Sequence, residues 1–198
     1  MASSKPEGSA RERLLAAATE LFYEEGVHTV GIDRVIERAG VAKASLYSTF
    51  GSKDELVRAY LAGRAEARQQ RITERIARHD GDPRAQILAI YELLGERIAG
   101  PSYRGCAFIN ARAEGPRGET KVTQVCSDSR AWLRALFRQL AGEAGGDAAL
   151  GDRLMMLYDG ATVSASMDGN LAAADEARAL AVELLDAVKP RRRPRTPR

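Results

Sequence analysis

Very little in this chain suits metal, redox or catalytic chemistry. Its 198 residues include two cysteines, Cys106 and Cys126, and two histidines, His28 and His79, with no CxxC pair. A dedicated site of nitrogen and sulfur ligands needs three or four such groups at short spacings, so no metal site is expected. A structural disulfide is not expected in a reducing compartment. Paired carboxylates in a cleft-like pattern, a Ser-His-Asp set and a nucleotide-binding glycine loop are missing too, which argues against an enzyme and against a bound cofactor. No apolar run approaches the roughly 18 residues that cross a bilayer. The opening stretch MASSKPEGSARE lacks the apolar segment of a secretory signal, so a cytoplasmic location without a membrane partner is expected. Alternating β-branched runs between turn signals are also absent, leaving strands nowhere to form.

One further absence is local. Between Glu37 and Asp54 there is no carboxylate, in a chain that carries 27 acids, while Arg38, Lys43 and Lys53 fall inside that window. The global balance is misleading here. The net charge is +3, but the final ten residues, KPRRRPRTPR, carry +6 on their side chains and the remainder is −3. Nucleic-acid affinity must therefore be argued from local distribution rather than from the isoelectric point.

What is present is helical signal. Ser9 and Glu12 form an S-x-x-E capping box, followed by Leu14, Ala18, Leu21 and Phe22 on one face as far as Gly26. A second helix over 32–39 turns Ile32, Val35, Ile36 and Ala39 inward, and a third runs from Lys43 to Phe50. Ser52 and Glu55 repeat the capping pattern at the head of a fourth helix that reaches about His79. Asp82-Pro83 opens a fifth, carrying Ile87, Ile90, Tyr91, Leu94 and Ile98 to Gly100-Pro101. Shorter and longer helices follow at about 104–114, 118–142, 147–168 and 173–188. The expected fold is all-α, with about nine helices. Residues 1–8 form a flexible arm, and 189–198 a disordered basic tail that can attract DNA phosphates or merely aid solubility.

Helices two and three, joined at GVAK, have the lengths and central glycine of a helix-turn-helix. At 100° per residue, Leu46 and Phe50 point inward. Ala44, Ser45 and Ser48 point the opposite way, with Tyr47 and Thr49 on the flanks. Short side chains let the backbone approach base edges, hydroxyls can bond phosphate or base, and no carboxylate repels the phosphates. Lys43 and Lys53 flank this face as phosphate clamps. Small helical bundles without any DNA role share such a pattern, so periodicity alone leaves both readings open.

The stretch RERLLAAATELFYEEGVHTVGIDRVIERAGVAKASLYSTFGSKDELV (11–57) resembles the DNA-binding domain of the TetR family of bacterial transcriptional regulators. The likeness lies in A..LF...G, GIDRVIERAGV, K.SLY..F and SKDEL. It implies a DNA-binding domain over 9–51 and a ligand-binding and dimerisation domain over 52–188. It also implies that residues 42–49 enter the major groove of a palindromic operator, with Tyr47 and Lys53 on phosphates. Ala42 and Gly31 depart from the family's hydroxylated helix caps, and Ser48-Thr49 stand where the family often has His.

Outside that stretch the chain matches only in length and helicity. Specificity on a genome needs two reading helices about one DNA turn apart, so a homodimer through the last two helices is expected, where LMMLYDGATVSASMDGN and ARALAVELLDAV offer close-packing faces. Tyr91, Phe108, Trp132 and Tyr158 are candidate lining for a small, mostly apolar effector, with Asn110 and Arg112 as polar anchors. Each of these also reads as ordinary core or surface. Cys106, in YRGCAFINARAE, belongs to the same group; some family members with a similar segment sense electrophiles there, and a small inert residue is the plainer reading. The function expected is a ligand-released repressor. An all-helical small-molecule-binding protein without a DNA role is the alternative.

Overall fold

A computed structural model of the chain describes residues 8–115 and 120–188. The basic tail, and the N-terminal arm apart from Gly8, lie outside the described residues. Among them are nine α-helices and no strand: α1 (Ala10–Glu25), α2 (Ile32–Ala39), α3 (Lys43–Phe50), α4 (Lys53–Ile76), α5 (Pro83–Ile98), α6 (Ala107–Glu114), α7 (Lys121–Glu143), α8 (Ala148–Met167) and α9 (Ala173–Asp186).

Side-chain caps account for several of the helix starts. The Ser9 hydroxyl accepts the Glu12 N–H at 3.3 Å, and the Glu12 carboxylate accepts the Ser9 N–H at 2.8 Å, completing the box expected from sequence. Asp82 and Asp147 cap α5 and α8 by accepting from Ala85 and Leu150 at 3.0 and 2.9 Å. At α4 only half the box forms. Ser52 accepts the Glu55 N–H at 3.2 Å, while the Glu55 carboxylate turns instead to Arg58 and Lys121. α4 is also shorter than expected, tightening into a 3₁₀ turn over Ala77–His79. α6 begins three residues late, with Cys106 in extended backbone at its N-cap.

The described residues pack as two compact units. The first comprises 8–68 with 106–115 and 120–129. Its core joins Leu14, Ala18 and Phe22 of α1, Val35 of α2, Leu46 of α3 and Leu56, Tyr60 and Leu61 of α4 to Phe108 and Ala111 of α6 and Cys126 of α7. The helix-turn-helix motif ends at residue 51, but its packing does not. Leu46 alone cannot support α3, and the first half of α4 supplies much of the apolar surface beneath the motif. Phe22 meets Tyr60 edge-on at 5.7 Å between centroids.

The second unit comprises 69–105 and 130–188. α5 is enclosed by α7, α8 and α9, and all five of its expected inward residues are buried. Ala174, Ala177 and Ala181 let α9 approach closely. The aromatic centre is Tyr91, Phe137 and Tyr158, with centroids 5.9 to 6.3 Å apart. The Tyr91 hydroxyl donates to the Leu154 carbonyl at 2.7 Å, which satisfies its one buried polar group.

Candidate nucleic-acid interface

The turn between α2 and α3 sets the pose of α3. Gly40 adopts the left-handed conformation (φ 61, ψ 41) that reverses the chain, and its N–H returns to the carbonyls of Ile36 and Glu37. Arg13, reaching from α1, donates from Nε to the Ala39 carbonyl at 2.9 Å and from Nη2 to the Gly40 carbonyl. Two exposed ion pairs, each weak by itself, link α2 to α1: Arg38 with Glu20 at 2.7 Å and Arg34 with Glu25 at 2.9 Å. Phe50, at the end of α3, lies under the Arg11 guanidinium at 5.5 Å. Sequence periodicity could not find these partners, because it relates residues only within one helix.

With α3 so held, its inner side is closed and its outer side open. Leu46 is 0% exposed, whereas Tyr47 is 48% exposed. Lys43, Ala44 and Ser48 are exposed, and Ser45, Thr49 and Lys53 are half-buried. The hydroxyls of Ser48 and Thr49 donate back to the Ser45 carbonyl at 3.1 and 2.6 Å, so they keep acceptor capacity towards a partner. Ala42 caps α3 with no side-chain hydrogen bond.

The acid-free window in sequence is not acid-free in space. Asp33 of α2 accepts from Lys43 Nζ at 2.9 Å, and that bond raises the lysine's pKa. Both groups are well exposed, so the pair is weak and a phosphate can replace the carboxylate. Lys53, at the head of α4, has its pKa lowered by partial burial, which Asp54 and Glu114 partly offset. The surface therefore combines a slim helix, exposed hydroxyls, one phenol and two lysines around a rigid core. Such a surface can enter a major groove and bond the flanking backbone.

The seven effector candidates divide between the two units. Tyr91 and Tyr158 meet in the aromatic centre of the second unit, and Trp132 packs half-buried against the same cluster. Phe108 is buried in the first unit, with the Arg68 guanidinium 4.8 Å above its ring. Cys106, half-buried, packs against the same core, while Asn110 is half-buried and Arg112 exposed on α6. Neither unit gathers all seven. Burial raises the Cys126 thiol to about 11, with the neighbouring Cys106 adding to the effect. Among the described residues, no three His, Cys, Asp or Glu side chains gather where a metal could sit, and no helix is long and apolar enough to cross a membrane.

Residues 14–60 match the family described as bacterial regulatory proteins, tetR family. The chain is 33% identical over 129 residues to the transcriptional activator FasR of Mycolicibacterium smegmatis, covering 63% of this chain and 58% of that protein. It is 32% identical over 109 residues to the transcriptional repressor NemR of Escherichia coli, covering 54% and 55%. The chain thus spans just over half the length of these curated relatives. Over nearly its full length it is similar to the crystal structure of a TetR-family transcriptional regulator from Streptomyces coelicolor, with a TM-score of 0.85, 34% identity, and coverage of 90% of this chain and 95% of that one.

Proposed function

Because this chain belongs to the TetR family of bacterial transcriptional regulators, we propose that it binds a palindromic DNA operator as a homodimer and is released by a small effector. The observation that carries the reading is the outer side of α3: Ala44, Tyr47 and Ser48 stand open over a fully buried Leu46, flanked by Lys43 and Lys53. A helix whose solvent side is short, hydroxylated and free of acid suits a phosphate-lined groove.

The dimer rests on a second surface. Met156 is 70% exposed, Met167 is 79% exposed, and Val163 and Leu180 are exposed as well. On α8, residues 156, 160, 163 and 167 recur at helical spacing, and Gly160 has open space around its Cα. An apolar stripe with a flat centre suits close packing against a second copy of the same helix. Leu185 is buried in the core of its own chain, and Leu184 and Val188 pack half-buried against it, so the α9 contribution would come from Leu180.

An apolar effector is supported by the aromatic cluster of the second unit, where Trp132 and Tyr103 remain half-buried at its edge. Release would follow if the effector favoured a pose of α4 unsuited to the operator, since α4 begins at Lys53. A coupling of about 1–3 kcal/mol gives a 5- to 150-fold change in DNA affinity. Among the relatives, FasR is an activator and NemR a repressor; the role proposed for this chain is repression.

The test is binding-site selection from random duplexes with the full chain. The expected result is a two-fold symmetric consensus with half-sites one helical turn apart. Recovery of no consensus, with affinity independent of sequence, would overturn the reading.

A further inference from the structure

The last turn of a helix disfavours a carboxylate, because its free carbonyls already carry partial negative charge. Glu114 nevertheless ends α6. Its Oε2 accepts the backbone N–H of His28, in the turn between α1 and α2, at 3.0 Å. The carboxylate also lies directly on Gly26, where an added Cβ would meet both of its oxygens at 2.9 Å. Gly26 has φ +95, so this turn requires glycine for its backbone as well as for the contact. Val27 and Val30, in the same turn, are buried in the core of the first unit. α2 starts straight after it, at Ile32, and its N-cap Gly31 supplies no side-chain hydrogen bond. The entry to the helix-turn-helix thus depends on how the preceding turn is held, and the anchor reaches it from 86 residues away. Glu114 also acts electrostatically on Lys53, one of the two lysines flanking α3.

We propose that Glu114 is a positioning residue for DNA recognition: by holding the Gly26–His28 turn, it fixes the pose in which α2 and α3 meet the operator. The proposal rests on the DNA-binding reading above. It differs from a merely structural role because it separates specific from non-specific binding. Non-specific attraction depends on charge and tolerates many poses, whereas base readout requires one.

The experiment compares the full-length chain with Glu114→Ala, Glu114→Gln and Gly26→Ala. Each is titrated against the selected operator and a scrambled duplex of equal length, with amide hydrogen exchange measured on the free protein. Glu114→Ala should weaken operator binding about tenfold and change scrambled-duplex binding by less than about twofold, a loss of the size expected for one charge-assisted hydrogen bond. Exchange should quicken at His28 and through α2. Glu114→Gln should restore most of the affinity, since its amide oxygen can accept the same N–H. Gly26→Ala, which strains the turn's backbone as well as displacing the carboxylate, should weaken operator binding at least as much as Glu114→Ala, and the double variant should be no worse than Gly26→Ala alone. Equal losses on both duplexes, unchanged operator binding in Glu114→Ala, or additive losses in the double variant would each overturn the proposal. A selection that returns no operator counts against the regulator reading instead. In that event, unchanged exchange at His28 and α2 in Glu114→Ala still overturns the anchoring contact.

Discussion

The outer sides of α3 and α8 are both open, both uncharged along their centre lines and both backed by fully buried residues, yet they suit different partners. On α3 the open positions are Ala44, Tyr47 and Ser48, with lysines at the margins. On α8 they are Met156, Gly160, Val163 and Met167. Water solvates the first set readily, so only a complementary charged and hydrogen-bonding surface gains by covering it. The second set leaves polarizable apolar area in water, which favours burial against protein. Lack of charge alone therefore does not identify a partner; what replaces the charge does.

The comparison breaks most sharply if each face is given the charge it lacks. Replacing Met156 and Val163 together by Glu should raise the dimer dissociation constant about a thousandfold or more, because unpaired carboxylates would be forced into an apolar contact. Sedimentation velocity at micromolar concentration should then show a monomer with unchanged helicity. Ala44→Glu should lower operator affinity about a hundredfold, since like charges brought together across an interface cost several kcal/mol. The same variant should sediment as wild type. If instead Ala44→Glu dissociates the dimer, or the α8 variant leaves both assembly and operator binding intact, the assignment of partners to faces is wrong.

A smaller change tests the margin of α3. Asp33→Asn frees Lys43 from its exposed pair and should tighten binding about two- to fivefold, the small effect expected of so exposed a pair. Fluorescence anisotropy over a salt series will show whether the gain is electrostatic.

The smallest effect concerns acid stability, and it separates the two units. Hydrogen bonds lower the carboxyl pKa values of Glu12 (from Ser9), Glu25 (from Arg34) and Glu55 (from Lys121 and Arg58), all in the first unit. The second unit has one such group, Asp152, bonded to Arg138. A carboxyl with a lowered folded pKa stabilises the fold above its unfolded value, near 4.5 for Glu, and loses that contribution as pH falls through the folded value. Acidification below about pH 4.5 should therefore loosen the first unit before the second. Amide exchange in α1 to α3, followed alongside Trp132 fluorescence, checks the order.

The sequence carried the element boundaries wherever a cap or a breaker was local. α2, α3 and α5 fall at the expected residues because Gly31, Gly40, Gly51 and Asp82-Pro83 act within one turn of the chain. The inward residues of α1, α2 and α5 followed from periodicity for the same reason. Legibility failed where a side chain had two partners to choose from. Glu55 could complete a capping box and chose two cations instead, and the carboxylate of Asp33 turned to a lysine ten residues away. Ser48 lies outward and Thr49 on the flank as the spacing implies, but that spacing did not show that both hydroxyls donate to the carbonyl of Ser45. The effector candidates, an aromatic set with Cys106, Asn110 and Arg112 beside it, divided between the two units.

By itself, then, the sequence determined the helices, the buried side of α3 and the short, uncharged character of its other side, because these depend on residue spacing and on local hydrogen bonds. Only the tertiary structure decided what steadies that helix. Arg13 on the Gly40 carbonyl, the Glu20–Arg38 and Glu25–Arg34 pairs, and Glu114 on the turn before α2 all join groups far apart in the chain. Charged side chains reach several ångströms in any direction, and which opposite charge they find is set by packing that no local pattern encodes.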